Sequence, residues 1–217
     1  MAGDFDYDRH GRDYSTHRRT DPRIAALVHQ ALDGARTVLN VGAGAGSYEP
    51  ADRYVLSIEP SAAMRAQRPP HLAPAIRGVA ETLPLDDRSV DASMALVTVH
   101  QWGDVEAGLR EMRRVTRGNV AILTFDPEAL DRFWLAEYSP ELIEAERHRY
   151  PAIGRILAVL GGESDVSVVP IPADCVDGFT EAFYARPERL LDPEVRGGQS
   201  AWGFVAEEAQ ARFVSRL

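Results

Sequence analysis

Cysteine is nearly absent: Cys175 stands alone among 217 residues. A single thiol excludes an internal disulfide and any cysteine-rich zinc site. It suits a reducing compartment, so a cytoplasmic location is expected. No apolar run approaches the length of a membrane span, and the polar, acidic start MAGDFDYDRHGRD is not a secretory signal. No membrane partner is expected. Basic charge is short as well. The formal net charge of −9 opposes general affinity for nucleic acid, which asks for a basic surface. The short basic patch from His17 to Arg19 reads as a solvated face. No H-x-x-x-H or acid-rich cluster has ligand spacing, so no metal is expected. No G-x-S-x-G elbow presents a hydrolase nucleophile.

What is present is enough apolar material for a large core in one domain, 45% of the residues. Asp21 caps a first helix, Pro22 suits its first turn, and Ile24, Leu27, Val28, Ala31 and Leu32 recur at helical spacing before Gly34. Thr37 to Val41 and Tyr54 to Ile58 read as buried strands, with a short helix holding Met64 behind the second. A third short strand is predicted near Ala75 to Val79 and a longer one over Asp91 to Val99. Val105, Leu109, Met112 and Val115 form the inner stripe of a helix that Gly118 ends, and Asn119 to Phe125 makes another strand. Strands alternating with helices predict an α/β, Rossmann-like, doubly wound and mostly parallel sheet with helices on both faces. The organisation expected is a single domain: a helical lid over 1–36, a core over 37–126, and a helical cap over 127–217 with one further strand, Val166 to Ile171.

The stretch VLNVGAGAGSYEP, Val38 to Pro50, places three glycines at alternate positions directly behind a strand. A glycine loop between strand and helix lets backbone approach a ligand that a Cβ would repel. At the end of the next strand, Glu59 faces the same crevice and can accept both hydroxyls of a ribose; its other reading is an ordinary surface acid. The spacing G-x-G-x-G is not the G-x-G-x-x-G of a dinucleotide fold. Gly42 to Arg53 is also close to the shortest parallel crossover, which leaves little helix dipole for a pyrophosphate. A nucleoside without phosphates fits better.

From Val38 to Phe125 the chain resembles the class I S-adenosylmethionine-dependent methyltransferases, especially the small-molecule, methyltransferase type 11 branch similar to quinone-biosynthesis C-methyltransferases. The segments that carry the resemblance are VLNVGAGAGSY, YVLSIEPSAAM, GVAETLPLDDRSVDAS, LVTVHQW and LREMRRVTRG. It implies S-adenosylmethionine as cofactor, S-adenosylhomocysteine as product, and a small-molecule methyl acceptor. By the same resemblance, Gly42, Ala43, Gly44 and Gly46 shape the pocket for the methionine moiety. Glu59 and Pro60 flank the ribose, Met64 packs near the adenine, Ala80 and Glu81 sit at the adenine edge, and Val97 and Thr98 line the cofactor. Tyr14 and Arg18 resemble a pair that closes over it. Two departures stand out: Asn40 occupies a position where many relatives carry an acid, and no seventh, antiparallel strand is visible after Ile171.

For the acceptor, aromatics on the cap suit an apolar small molecule, which makes Asp177-Gly178-Phe179, Phe183, Tyr184 and Trp202 candidates for its wall; a helical core is their other reading. His100 follows an apolar strand at the carboxyl end of the sheet and is the candidate general base for an O or N acceptor. Its alternative is a structural hydrogen bond. Methyl transfer needs alignment and exclusion of water, with no covalent enzyme intermediate. Three other functions stay open at this point: an enzyme that uses the cofactor without methylating, a non-catalytic partner module, and an NAD-type oxidoreductase, against which the glycine spacing counts.

Overall fold

The computed structural model describes residues 5–11 and 14–217, apart from the side chains of His10 and Tyr14. Two helical turns, α1 (Tyr7–His10) and α2 (Tyr14–His17), lead to α3 (Pro22–Ala31). Asp21 caps α3 by accepting from Arg23 N, and Pro22 sits in the first turn, where its missing N–H costs nothing. Ile24, Ala25 and Val28 form the buried stripe of α3. The sheet then builds from β1 (Thr37–Val41), β2 (Tyr54–Ile58), β3 (Ala92–Leu96) and β4 (Val120–Leu123), with α4 (Ala62–Ala66) after β2 and α5 (Val105–Val115) after β3. All strand pairs are parallel and the order is β2-β1-β3-β4. The winding reverses between β1 and β3, so their carboxyl ends open a crevice at the switch point, where ligands bind in such sheets.

One face of the sheet packs on α5, through Leu109, Met112 and Val115, and on Ile156. The other packs on α3, with Cys175, Phe179 and Ala182 from the second half of the chain. That second half has its own core, built from α6 (Leu135–Tyr138), α7 (Pro140–Arg149), α9 (Pro193–Gly197) and α10 (Glu207–Arg216), whereas α8 (Ile153–Leu160) packs beside α5 on the sheet. Leu142, Leu190, Trp202 and Phe213 lie at its centre.

Three predicted strands come out differently. The segment Ala75 to Val79 is reduced to two isolated bridges, Ile76 with Ile58 and Val79 with Thr82. The strand expected over Asp91 to Val99 stops at Leu96, because Val97 turns to φ +52°. Val166 to Ile171 forms no strand, and Val166 and Val168 are 61% and 92% exposed. Its apolar alternation suggests a strand, but Pro170 and Pro172 remove the N–H donors a ladder needs. The cap is therefore helical without a further strand, and among the described residues no antiparallel strand joins the sheet.

Candidate functional site

The loop leaving β1 makes a tight turn against β2: Gly42 N and Ala43 N both donate to Ile58 O, at 2.9 and 3.0 Å. Gly42, Gly44 and Gly46 all have positive φ, at +69°, +53° and +93°. Each has a different neighbour. A Cβ on Gly42 would collide with the Thr98 side chain, and one on Gly46 with Leu72 and the Arg68 guanidinium. A Cβ on Gly44 would meet only Met64 Cε, at 3.3 Å.

Glu59 ends β2 and turns toward this loop. Its two carboxylate oxygens accept from Gly44 N and Ser61 N, each at 2.8 Å. Burial pushes its carboxyl above the ordinary range, against the pull of those two bonds. Each oxygen keeps one further lone pair for a ligand hydroxyl. Ser61 caps α4 by accepting from Met64 N and donates its own hydroxyl to Asp8, which also accepts from Ala63 N. The N-terminal segment is thereby fastened over the end of β2.

Beneath the loop lies a buried polar cluster that sequence reasoning missed. Asn40 Nδ2, Ser57 Oγ and Arg68 Nη1 all donate to Glu49 Oε1, at 2.9, 2.7 and 3.0 Å, and Arg68 Nη2 donates to Glu49 Oε2 at 2.8 Å. The Arg68 and Glu49 side chains are only 3% and 2% exposed. The carboxylate absent from position 40 is supplied by Glu49, nine residues on. The available signal was weak, since an acid after a glycine loop also suits a surface turn.

Together these elements wall a cavity of about 920 Å³ at the switch point. Gly42, Ala43 and Gly44 line one side, Glu59, Pro60 and Met64 another, and Ala80, Glu81, Val97 and Thr98 the remainder. Arg18 borders it as well. Gly46 does not reach the cavity; it makes room for Arg68 behind the loop. The side chain of Tyr14 lies outside the described residues. Glu81 Oε1 accepts from Asp104 N, so this acid orders the loop ahead of α5. Tyr7, Asp8, Tyr48, Gln101 and Trp102 also border the cavity; the first four carried no sequence signal, being single polar or aromatic residues without spacing.

Arg18 is held by Asp177, which accepts from its Nε at 2.8 Å and from Tyr48 Oη at 2.6 Å. Asp177 thus anchors the N-terminal segment and does not form an acceptor wall. Burial and the Asp177 charge push the Tyr48 phenol well above its usual value, so it remains a donor.

A second, smaller chamber of about 40 Å³ adjoins the first, sharing Tyr7, Arg18, Val97 and Gln101. His100 lines it from the 3₁₀ turn after β3, 7% exposed, with its ring centroid 4.4 Å from that of Tyr150. Burial, with the Arg149 and Arg18 charges, holds His100 well below its usual value of 6.5, so the imidazole is neutral. Phe179 lines the same chamber. The other three aromatic candidates border neither cavity. Phe183 and Trp202 pack in the helical core, the latter against Phe213 at 4.9 Å, and Tyr184 is 43% exposed and donates to Ile171 O. The apolar spacing of Phe183 and Trp202 served the core of the cap.

A Rossmann-like sheet with a positive-φ glycine loop and a buried acid at the end of the second strand defines a nucleoside-binding α/β enzyme class. The comparisons narrow this. Residues 39–124 match the family model described as a methyltransferase domain. The chain is similar to the solved structure of a putative methyltransferase from an antibiotic biosynthesis pathway of Anabaena variabilis ATCC 29413, at 30% identity and a TM-score of 0.81, covering 92% of this chain and 85% of that one. A SAM-dependent methyltransferase of Thermotoga maritima, described as a possible histamine N-methyltransferase, shares the fold at 21% identity and a TM-score of 0.56, covering 71% of this chain and 77% of that one. Among curated proteins, none matches the chain significantly. The chain belongs to the class I S-adenosylmethionine-dependent methyltransferases.

The cavity fits that cofactor. Glu59 offers carboxylate oxygens to paired hydroxyls, while Met64, Val79 and Ala80 give apolar surface for a base. The loop leaves space at Gly44 that a side chain would fill. Among the described residues, no helix is long and apolar enough to cross a membrane.

Proposed function

We propose that the protein transfers the methyl group of S-adenosylmethionine directly, in line, to a small-molecule acceptor, with residues 1–36 as a lid, 37–126 as the cofactor core and 127–217 as a cap of one domain. The observation that carries this reading is the pair of adjoining cavities, one sized for a nucleoside amino acid and the other small and closed by the cap. When bound, S-adenosylmethionine supplies a methyl group on a positively charged sulfur. Glu59 holds the ribose hydroxyls. Gly42, Ala43 and Gly44 would bring backbone against the methionine moiety, Met64 would pack near the adenine with Ala80 and Glu81 at its edge, and Pro60, Val97 and Thr98 would complete the wall. Arg18, fixed by Asp177, closes the N-terminal side and keeps water from the junction. Alignment and desolvation of this kind contribute much of the barrier reduction in a two-substrate transfer. The net charge of −9 favours a small acceptor over a nucleic acid.

Calorimetry with S-adenosylhomocysteine tests the site. Glu59→Ala is expected to weaken binding by about 1.5–3 kcal/mol, the worth of a hydrogen bond to a charged group. Unchanged affinity would remove Glu59 from the site. Incubation with S-adenosylmethionine and a panel of phenols, quinones and amines tests the reaction, through the mass of one added methyl in the product. Tight S-adenosylhomocysteine binding with no turnover across a broad panel would favour the non-catalytic module.

His100 has its proton affinity lowered by burial, which makes a weak base. His100→Gln is therefore expected to leave kcat within about tenfold of wild type, a barrier change of no more than roughly 1.4 kcal/mol. A fall of roughly 10²–10⁴-fold at saturating substrates would restore it as the general base.

A further inference from the structure

The smaller chamber holds chemistry that the cofactor site does not use. Glu146 of α7 and Glu181 of the 3₁₀ turn Thr180–Phe183 meet there, 4% and 6% exposed, near enough for each carboxyl to act on the other. Among the described residues, no group donates to Glu146 Oε2 or Glu181 Oε1, and His100 Nδ1 is likewise buried without a partner. Burial raises both carboxyls, and the Glu146 charge adds to the rise of Glu181; two carboxyls together in so dry a place retain a proton between them more readily than either would alone.

Two cations act on the pair through their charge, Arg149 on Glu146 and Arg18 on Glu181. Arg18 is held by Asp177, and Arg149 donates to Ser200 Oγ at 3.0 Å with its guanidinium 4.7 Å from the centre of the Phe204 ring. Three aromatic rings, Phe125, Tyr150 and Phe179, close the chamber; Phe125 lies 5.4 Å from Tyr150 and 5.8 Å from Phe179, between ring centres. Among the described residues, no three histidine, cysteine or carboxylate groups are placed to hold a metal ion.

A chamber of about 40 Å³ holds a head group of a few atoms, not a whole acceptor. The remainder of the acceptor must extend toward Val97 and Gln101, where the two cavities join. We propose that this chamber seats a protonated amine of the acceptor, with Glu146 and Glu181 as its carboxylate partners and the rings of Phe125, Tyr150 and Phe179 around it. This rests on the reading that a small acceptor binds beside the cofactor cavity. An ammonium carries donors and positive charge into a place that has unmet carboxylate oxygens and ring faces, the combination used to hold such cations. A carboxylate ligand would meet like charge, and an alcohol would leave the pair its shared proton. The amine is a handle: held as an ammonium it has no lone pair, so the methyl goes to another atom of the acceptor.

Binding then has a proton count. The ammonium arrives charged, both carboxylates ionise, and the proton they shared leaves to the buffer. His100, lowered by burial, stays neutral, and Tyr150, raised by burial, keeps its proton. The test uses the full chain saturated with S-adenosylhomocysteine, titrated at pH 7.5 with methylamine, benzylamine and 2-phenylethylamine. Their hydroxyl counterparts and phenylacetate serve as controls, in buffers of different ionisation enthalpy. At least one amine is expected to bind about tenfold or more tighter than its alcohol, with release of about one proton. Glu181→Gln, isosteric with the protonated acid, is expected to lose about tenfold or more of that affinity and the proton release, while binding S-adenosylhomocysteine as wild type does. Absence of binding by all three amines at millimolar concentration, equal affinity for the alcohols, preference for phenylacetate, or an unaffected Glu181→Gln variant would each overturn the proposal. Loss of S-adenosylhomocysteine binding in the wild type would instead strike the methyltransferase site itself.

Discussion

Replacing Gly42 by valine is expected to reduce S-adenosylhomocysteine affinity by roughly 100-fold or more, since a strained left-handed residue alone costs of order 1–3 kcal/mol. Two effects combine at this position. Gly42 has φ +69°, which a β-branched residue adopts only under strain, and its Cβ would overlap the Thr98 side chain. Neither neighbour can yield cheaply. Gly42 N is tied to Ile58 O at 2.9 Å, and Thr98 begins the turn that carries His100. The loop must therefore move, and with it the backbone beside Glu59. Gly44→Ala provides the contrast. Its Cβ meets only the end of the flexible Met64 side chain, at 3.3 Å, so the expected loss is smaller, about tenfold. Calorimetry on both variants, with thermal melts to establish that they fold, gives the comparison. Gly42→Val binding within tenfold of wild type would show that the loop has another way to close.

Glu49→Ala is expected to destabilise the fold by about 3–5 kcal/mol, because it leaves the guanidinium of Arg68 buried without its partner. In a chain of 217 residues that is a fall in Tm of roughly 6–20 °C. Arg68 does keep two other acceptors, Ala73 O, which takes bonds from its Nε and Nη2 at 3.1 and 2.8 Å, and Ser57 Oγ, which takes one from Nη2 at 3.3 Å. Asn40 and Ser57 each lose the acceptor they share. The double variant Glu49→Leu with Arg68→Met removes both charges together and is expected to cost less than Glu49→Ala alone, since a buried pair exchanged for apolar groups is often close to neutral. A Glu49→Ala Tm within about 2 °C of wild type, under 1 kcal/mol for a domain this size, would mean that water reaches Arg68 and that the cluster does not hold the loop.

Legibility along the chain followed the range of the forces involved. Strands β1 and β2 have the bounds their apolar runs indicate, and α3 and α5 follow their caps and stripes, because burial on one face and capping are local. Glu59 was visible for a similar reason: its place is one step from the end of a strand. Where distant groups compete, local pattern failed. Val166 to Ile171 alternates like a strand, yet two prolines and the lack of a neighbour leave it exposed. Trp202 and Phe183 look like a ligand wall but close the core of the cap.

By itself the sequence determined the parallel sheet, the glycine loop and the acid opposite it, since each follows from periodicity, from backbone freedom or from position at a strand end. Only the tertiary structure decided three things. Gly42 is more constrained than Gly44, because Thr98 arrives from the neighbouring strand. The carboxylate missing at position 40 is supplied by Glu49, which Arg68 in turn pairs. Glu146 and Glu181, thirty-five positions apart, come together buried in one chamber. These last depend on side chains that meet only when helices and loops from both halves pack together. Desolvation and pairing act through space, and spacing along the chain carries no trace of them.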